Sequence, residues 1–141
     1  MNIVLDTSVA LAWYLNEAFS SAARQWQERI LAGTVHAMVP ALHYQEFANV
    51  LRTAVRRKEI EASLAEDISV LHLDAPLDVV EPPRQALLAT ALAFHCTVYD
   101  GVYVALAETH GCVLLTAERA TTPWVLKLGK QAISLSGHSP R

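Results

Sequence analysis

Asp6, Glu46, Asp100 and Glu118 are the residues of this sequence best suited to acting together. Each also has an ordinary use. Asp6 and Asp100 stand where helices are expected to begin and suit N-caps, Glu118 complements a first-turn dipole, and Glu46 fits a solvated helix surface. Glu46 fits its ordinary use poorly, because Leu42, Phe47 and Val50 make its helix face largely apolar. If the fold gathers the four acids, their repulsion is relieved by proton sharing or by a cation. Hard divalent ions take oxygen ligands, and Mg²⁺ binds through one or two carboxylates plus waters and substrate phosphate. A carboxylate-bound Mg²⁺ or Mn²⁺ can activate water and stabilise charge on a phosphodiester, with no Ser or His nucleophile. Two such ions would sit ~3.5–4 Å apart. The hydroxyls of Thr7, Ser8 and Thr116 and the amide of Asn49 are placed to orient ligands or waters. Asn49 follows Glu46 by three residues, on the same helix face.

The elements that must position these residues read as alternating strands and helices. Asn2 to Leu5 is a short buried strand ending at Asp6. Helices follow over Val9 to Leu15 and Ser20 to Ala32, the second stopped by Gly33 as a C-cap. Val35 to Val39 is a second strand, and Pro40 suits the first turn of a long helix that carries Glu46 and ends at Arg56-Arg57-Lys58. Ile60 to Leu73 is amphipathic, with Leu64, Ile68 and Leu71 inward, and Leu77 to Val80 is a strand. A helix over Arg84 to His95 leads to a turn, and Asp100 opens the next helix, where Val102, Leu106 and either Tyr103 or Ala105 make an apolar face. Cys112 to Leu115 is a strand, Trp124 to Lys127 a helical turn, and Gln131 to Leu135 an edge strand.

That alternation predicts an α/β fold of three α/β/α layers, a mostly parallel sheet flanked by helices. In such sheets ligands bind beyond the carboxyl ends of the strands, where the strand order reverses. Asp6 follows the first strand directly, Glu118 follows a later one, and Glu46 and Asp100 lie near the starts of helices opening on the same edge. All four acids should therefore share one rim. Residues 1–135 are expected to form one domain, and 136–141 a loose polar tail.

Composition narrows the classes. The chain has 141 residues, 52% of them hydrophobic, with mean hydropathy +0.24, so apolar surface should remain for a partner or a second copy. No apolar run reaches the ~20 residues needed to span a bilayer, and the N-terminus lacks signal-peptide features. No membrane association and a cytoplasmic location are expected, with Cys96 and Cys112 as reduced thiols in apolar surroundings. A net charge of −3 argues against nucleic-acid binding by overall charge, though an acidic metal site needs only a local basic surface. There is no Gly-rich phosphate loop, HExxH or CxxC. His36, His43, His72, His95, His110 and His138 are scattered, each expected at the core edge or surface.

At these residues the sequence resembles the PIN-domain ribonucleases, and within them the VapC-type toxins of toxin–antitoxin pairs. The resemblance rests on Val4-Leu5-Asp6-Thr7-Ser8, Glu46-Phe47-Ala48-Asn49-Val50-Leu51, the stretch from Tyr99 to Glu108, and Leu114-Leu115-Thr116-Ala117-Glu118. It implies endonucleolytic cutting of RNA, often tRNA or rRNA, with Mg²⁺ or Mn²⁺ on the matching acids. It also implies a homodimer and a cognate VapB-type antitoxin whose tail covers the site. The family usually has Asp where Glu118 stands; the extra methylene suggests metal contact through water. Gly101 replaces a more usual Ala.

RNA must be gripped by cations near the acidic rim. Arg119 adjoins Glu118 and is the best candidate for a phosphate contact. Arg52, Arg56 and Arg57 are the others; Arg57 lies ~16 Å along the helix from Glu46, though such residues also merely complement a helix C-terminus. Trp13, Tyr14, Phe19 and Trp26 are divided between core and an antitoxin groove. Two other classes remain: a PIN-like module that binds RNA or protein without catalysis, and a metal-dependent phosphatase or DNA nuclease on a similar sheet. The phosphatase reading lacks its Asp-x-Asp-x-Thr start, because Thr7-Ser8 follow Asp6.

Overall fold

A computed structural model describes residues 1–136. Five strands run parallel in the order β3-β2-β1-β4-β5: β1 (Asn2–Leu5), β2 (His36–Val39), β3 (Leu77–Val79), β4 (Val113–Thr116) and β5 (Ala132–Ser134). The order reverses between β1 and β4, which pair with Leu5 opposite Leu115. Seven α-helices are present among the described residues: α1 (Thr7–Leu11), α2 (Ser20–Leu31), α3 (Leu42–Arg56), α4 (Ala62–His72), α5 (Ala86–Phe94), α6 (Val98–His110) and α7 (Pro123–Leu128).

Alternation along the strands sorts the core into two layers. Ile3 and Leu5 face α1 to α4, packing with Val9, Trp13, Phe47 and Ile68. Val4 and Leu114 face α5 to α7, packing with Phe94, Val104 and Trp124. Strands covered on both faces need no polar side, which is why β1 and β4 are continuous apolar runs. No single helix among the described residues is long and apolar enough to cross a membrane; the apolar α5 and α6 meet at 101°.

Several boundaries differ from expectation for local reasons. α1 begins at Thr7 and ends at Leu11, with turns beyond it. Pro40 precedes α3 rather than entering it; the Glu81 carboxylate accepts the Ala41 N–H at 2.7 Å at that helix start. α6 begins at Val98, because Thr97 caps it: its Oγ1 accepts the Asp100 N–H at 3.1 Å. Asp100 is therefore the third residue of α6, not its opening residue. In α4 the buried face is Ala65, Ile68 and His72, while Leu64 and Leu71 are about half exposed at 48% and 59%. His43 and His72 lie wholly inside, not at the core edge. The expected loose tail lies, beyond Ser136, outside the described residues.

Gly101 of α6 faces Ala91 of α5. A Cβ built there would meet Ala91 at 3.5–3.6 Å, ordinary van der Waals contact. The site thus has room for a methyl group, and Gly in a helix costs about 0.5–1 kcal/mol relative to Ala. Gly101→Ala is expected to raise the melting temperature by that equivalent, measured by calorimetry at fixed pH; destabilisation would mean that α5 and α6 pack more tightly than described.

Candidate active site

The strand-order reversal is closed by hydrogen bonds around one carboxylate. Asp6 follows β1, and its N–H donates to the Leu115 carbonyl at 3.0 Å, extending the β1–β4 ladder. Thr116, the last residue of β4, donates from Oγ1 to Asp6 Oδ2 at 2.7 Å, and Ser8 donates to the same oxygen at 3.1 Å. Each hydroxyl also accepts a backbone N–H, Thr116 from Glu118 at 3.0 Å and Ser8 from Ala117 at 3.1 Å. Asp6 occupies the N-cap position of α1, yet its side chain makes no capping bond. Its ordinary use is thus not the one realised.

Glu46 projects from the second turn of α3 and is held in the same way by one oxygen. Tyr103 of α6 donates to Oε1 at 2.6 Å and Thr7 of α1 at 3.1 Å. With Asp100 and Glu118 these residues line a cavity of about 420 Å³, walled on its apolar side by Leu11, Leu15, Phe19 and Val50. One cavity therefore collects all four acids predicted to share a rim.

Burial raises the Asp6 carboxyl to about 6; Thr116 and Ser8 oppose the rise, and the charges of Glu46 and Asp100 add to it. Asp100 is also raised, by burial, with Thr97 opposing. These acids feel one another, and a cation would relieve them. The donor set fits a hard divalent ion: both hydrogen bonds to Asp6 fall on Oδ2 and both to Glu46 fall on Oε1, leaving the second oxygen of each without a protein donor. Among the described residues no three His, Cys, Asp or Glu side chains already converge as a ready-made ion site. Mg²⁺ demands no such cage, since waters and substrate phosphate complete its shell.

The other predicted residues divide. Thr7, Ser8 and Thr116 bond to Asp6 or Glu46. Asn49 is exposed and does not line the cavity. Its place on that wall is taken by Val50, because Glu46 turns inward beside Thr7. Glu118 is exposed, with Thr122 Oγ1 3.5 Å from its Oε2, a loose contact. Arg119 is exposed beside it. Arg52, Arg56 and Arg57 are exposed and, with Thr53, line a separate cavity of about 300 Å³ at the end of α3. Sequence reasoning missed the role of Tyr103. Its spacing of three from Asp100, on one helix face, was the available signal.

Residues 3–120 match the PIN domain. The chain belongs to that family. Its similarity extends to proteins named VapC: it is 34% identical over 118 residues to "VapC ribonuclease Mb0985" of Mycobacterium bovis, covering 82% of this chain and 85% of that one. The same identity and coverage relate it to "Ribonuclease VapC9" of Mycobacterium tuberculosis. The solved structure of PAE2754 from Pyrobaculum aerophilum shares the PIN fold, with a TM-score of 0.72 and 23% identity over 96% of this chain and 92% of that one.

Stability should record this electrostatics. Burial, and then the neighbouring His72, lowers His43 to about 3, and burial lowers His72 to about 4. Both imidazoles take up protons in the unfolded chain near 6.5 but not in the folded one, so their contribution is complete above pH 6.5 and lost as pH falls toward 4. Asp6 works oppositely: its folded pKa exceeds the unfolded 3.8, so its ionisation destabilises the fold as pH rises from 3.8 to about 6. Asp100, whose carboxyl burial also raises, acts in the same sense as Asp6. With two imidazoles opposed by two carboxyls, the metal-free protein is expected to show a shallow stability profile between pH 6 and 4, by urea denaturation. Asp6→Asn, which removes one carboxyl, should turn that profile into a loss on acidification and stabilise the protein at pH 7.

Proposed function

We propose that this PIN-domain chain is a metal-dependent endoribonuclease, the toxin of a VapBC-type toxin–antitoxin pair. The observation that carries the reading is the single cavity that collects Asp6, Glu46, Asp100 and Glu118 at the strand-order reversal of a chain related to VapC proteins. Asp6, Glu46 and Asp100 would hold Mg²⁺ or Mn²⁺ directly, and the exposed Glu118 would act through water. When bound, the ion supplies an activated water and charge stabilisation for phosphodiester hydrolysis.

The chain's own residues do the positioning. Thr116 and Ser8 fix the Asp6 carboxylate by one oxygen, and Tyr103 and Thr7 fix Glu46 by one oxygen. Leu11, Leu15, Phe19 and Val50 limit water on the apolar side. Arg119 beside the rim and the Arg52, Arg56 and Arg57 cluster receive phosphates upstream or downstream of the cut. The substrate class is structured RNA, tRNA or rRNA, in the cytoplasm.

Two surfaces suit the proposed partners. The groove between α3 and α4, lined by Leu51, Val55 and Ala65 and edged by Arg52, Arg56 and Glu66, suits an amphipathic antitoxin segment. On α5, Leu88 and Leu92 are exposed at 64% and 68%, a surface for a homodimer.

The test is cleavage of a mixed tRNA and rRNA pool with Mn²⁺, Mg²⁺ or EDTA. Wild type is expected to cut only with metal and Asp100→Asn to be reduced to background. Thr116→Val, which frees the Asp6 carboxylate, should lose about 10–100-fold. Cutting in EDTA, or by Asp100→Asn at the wild-type rate, would contradict the metal role. A wild type that binds RNA without cutting it would indicate a binding module instead.

A further inference from the structure

Behind Glu46 runs a line of polar groups that reaches through the core to Tyr14, in the turn after α1. Thr7 Oγ1 lies 3.1 Å from Glu46 Oε1 and 3.2 Å from His43 Nδ1. His43 Nε2 lies 2.9 Å from His72 Nε2, and the Tyr14 hydroxyl lies 2.9 Å from His72 Nδ1. Both rings are sealed in: His43 is 0% and His72 1% exposed, and His72 stacks on Phe47 at 4.1 Å and 11°. Burial keeps both imidazoles uncharged, with pKa values of about 3 and about 4. Two polar rings in an apolar layer need a reason to be there, since a well-packed apolar pair would avoid their desolvation.

Counting protons orients the line. Four contacts cluster at its active-site end: Tyr103 to Glu46 at 2.6 Å, Tyr103 to Thr7 at 2.7 Å, Thr7 to Glu46 at 3.1 Å and Thr7 to His43 at 3.2 Å. A carboxylate only accepts, and each hydroxyl brings one proton. If His43 Nδ1 were bare, the Thr7 proton would turn to it and away from Glu46. The single Tyr103 proton would then have to serve all three contacts among Tyr103, Thr7 and Glu46. If His43 Nδ1 carries the proton, it donates to Thr7, and two protons serve those three contacts: Tyr103 donates to Glu46, and Thr7 donates to Glu46 or to Tyr103, so one contact rather than two is left without a proton. A neutral imidazole has one N–H, so His43 Nε2 must then accept from His72 Nε2, and His72 Nδ1 must accept from Tyr14.

We propose that Tyr14, His72, His43 and Thr7 form a one-way hydrogen-bond chain with every donor directed toward Glu46. His43 and His72 are thus positioning residues for that carboxylate, acting through Thr7. The proton arrangement stands on geometry alone; its consequence for the ion rests on the function proposed above. Fixing the donors of Oε1 fixes the direction of Oε2, the oxygen without a protein donor.

Histidine ¹⁵N NMR of the full-length, metal-free protein at pH 7 tests the arrangement, because a bare and a protonated ring nitrogen resonate far apart. The expected result is His43 protonated at Nδ1 and His72 at Nε2. The opposite tautomers, or a protonated imidazolium in either ring, would overturn the proposal. Mg²⁺ titration followed by calorimetry tests the positioning role. His72→Phe keeps the stacking on Phe47 but removes the donor to His43, and should weaken Mg²⁺ binding about 10-fold. His72→Gln retains an N–H donor and should restore most of the affinity. Equal Mg²⁺ affinity in His72→Phe and wild type, with circular dichroism unchanged, would overturn it. A wild type that binds no Mg²⁺ would contradict the function proposed above, while the tautomers, read without metal, would still decide the chain.

Discussion

Bringing Asp6, Glu46 and Asp100 into one partly dry cavity sets like charges against each other, and much of the surrounding structure is arranged to withstand that repulsion. Burial is the first cause of the elevated Asp6 carboxyl, and the charges of Glu46 and Asp100 add to the rise. The compensation is local and polar. Thr116 and Ser8 each bind Asp6 with a hydroxyl proton while accepting a backbone N–H, so the ends of β1 and β4 are joined through the very carboxylate they present. This is possible only where the strand order reverses, because there the two strand ends diverge and leave a crevice between their loops.

The two helical layers contribute differently. α6 crosses from the α5–α7 layer into the site through Tyr103, whose ring packs in that core while its hydroxyl reaches Glu46. α1 and α3 supply Thr7 and Glu46 from the opposite layer. Glu46 is thus gripped from both faces of the sheet, and relative movement of the layers would be felt there. The buried Tyr14–His72–His43 line extends that grip into α4, which otherwise has no contact with the cavity.

Much of this was legible in the chain. β1 and β4 declare themselves as short apolar runs, and each is followed by polar residues at the place where a parallel sheet opens its crevice. Glu46 was legible because an acid on an apolar face needs a reason. Asp100 was placed on the correct rim but at the wrong helix position, because Thr97, also a capping residue, takes the cap three residues earlier. α4 was turned incorrectly: Leu64 and Leu71 look like core residues, but the face that meets the sheet layer is the one that brings His72 to His43 and Tyr14. That preference depends on partners 29 and 58 residues away and leaves no local trace. Asn49 failed for a similar reason, since spacing shows a shared helix face but not how wide the cavity is.

The central claim is that the gathered carboxylates hold a divalent cation. Electron paramagnetic resonance reads it directly, by following the loss of the free Mn²⁺ signal as protein is added, for wild type and for Asp6→Asn. The account predicts saturable uptake by wild type that is competed by Mg²⁺ and abolished in Asp6→Asn while the fold is retained. Uptake of the same affinity and stoichiometry in both proteins would place any bound ion elsewhere and contradict it.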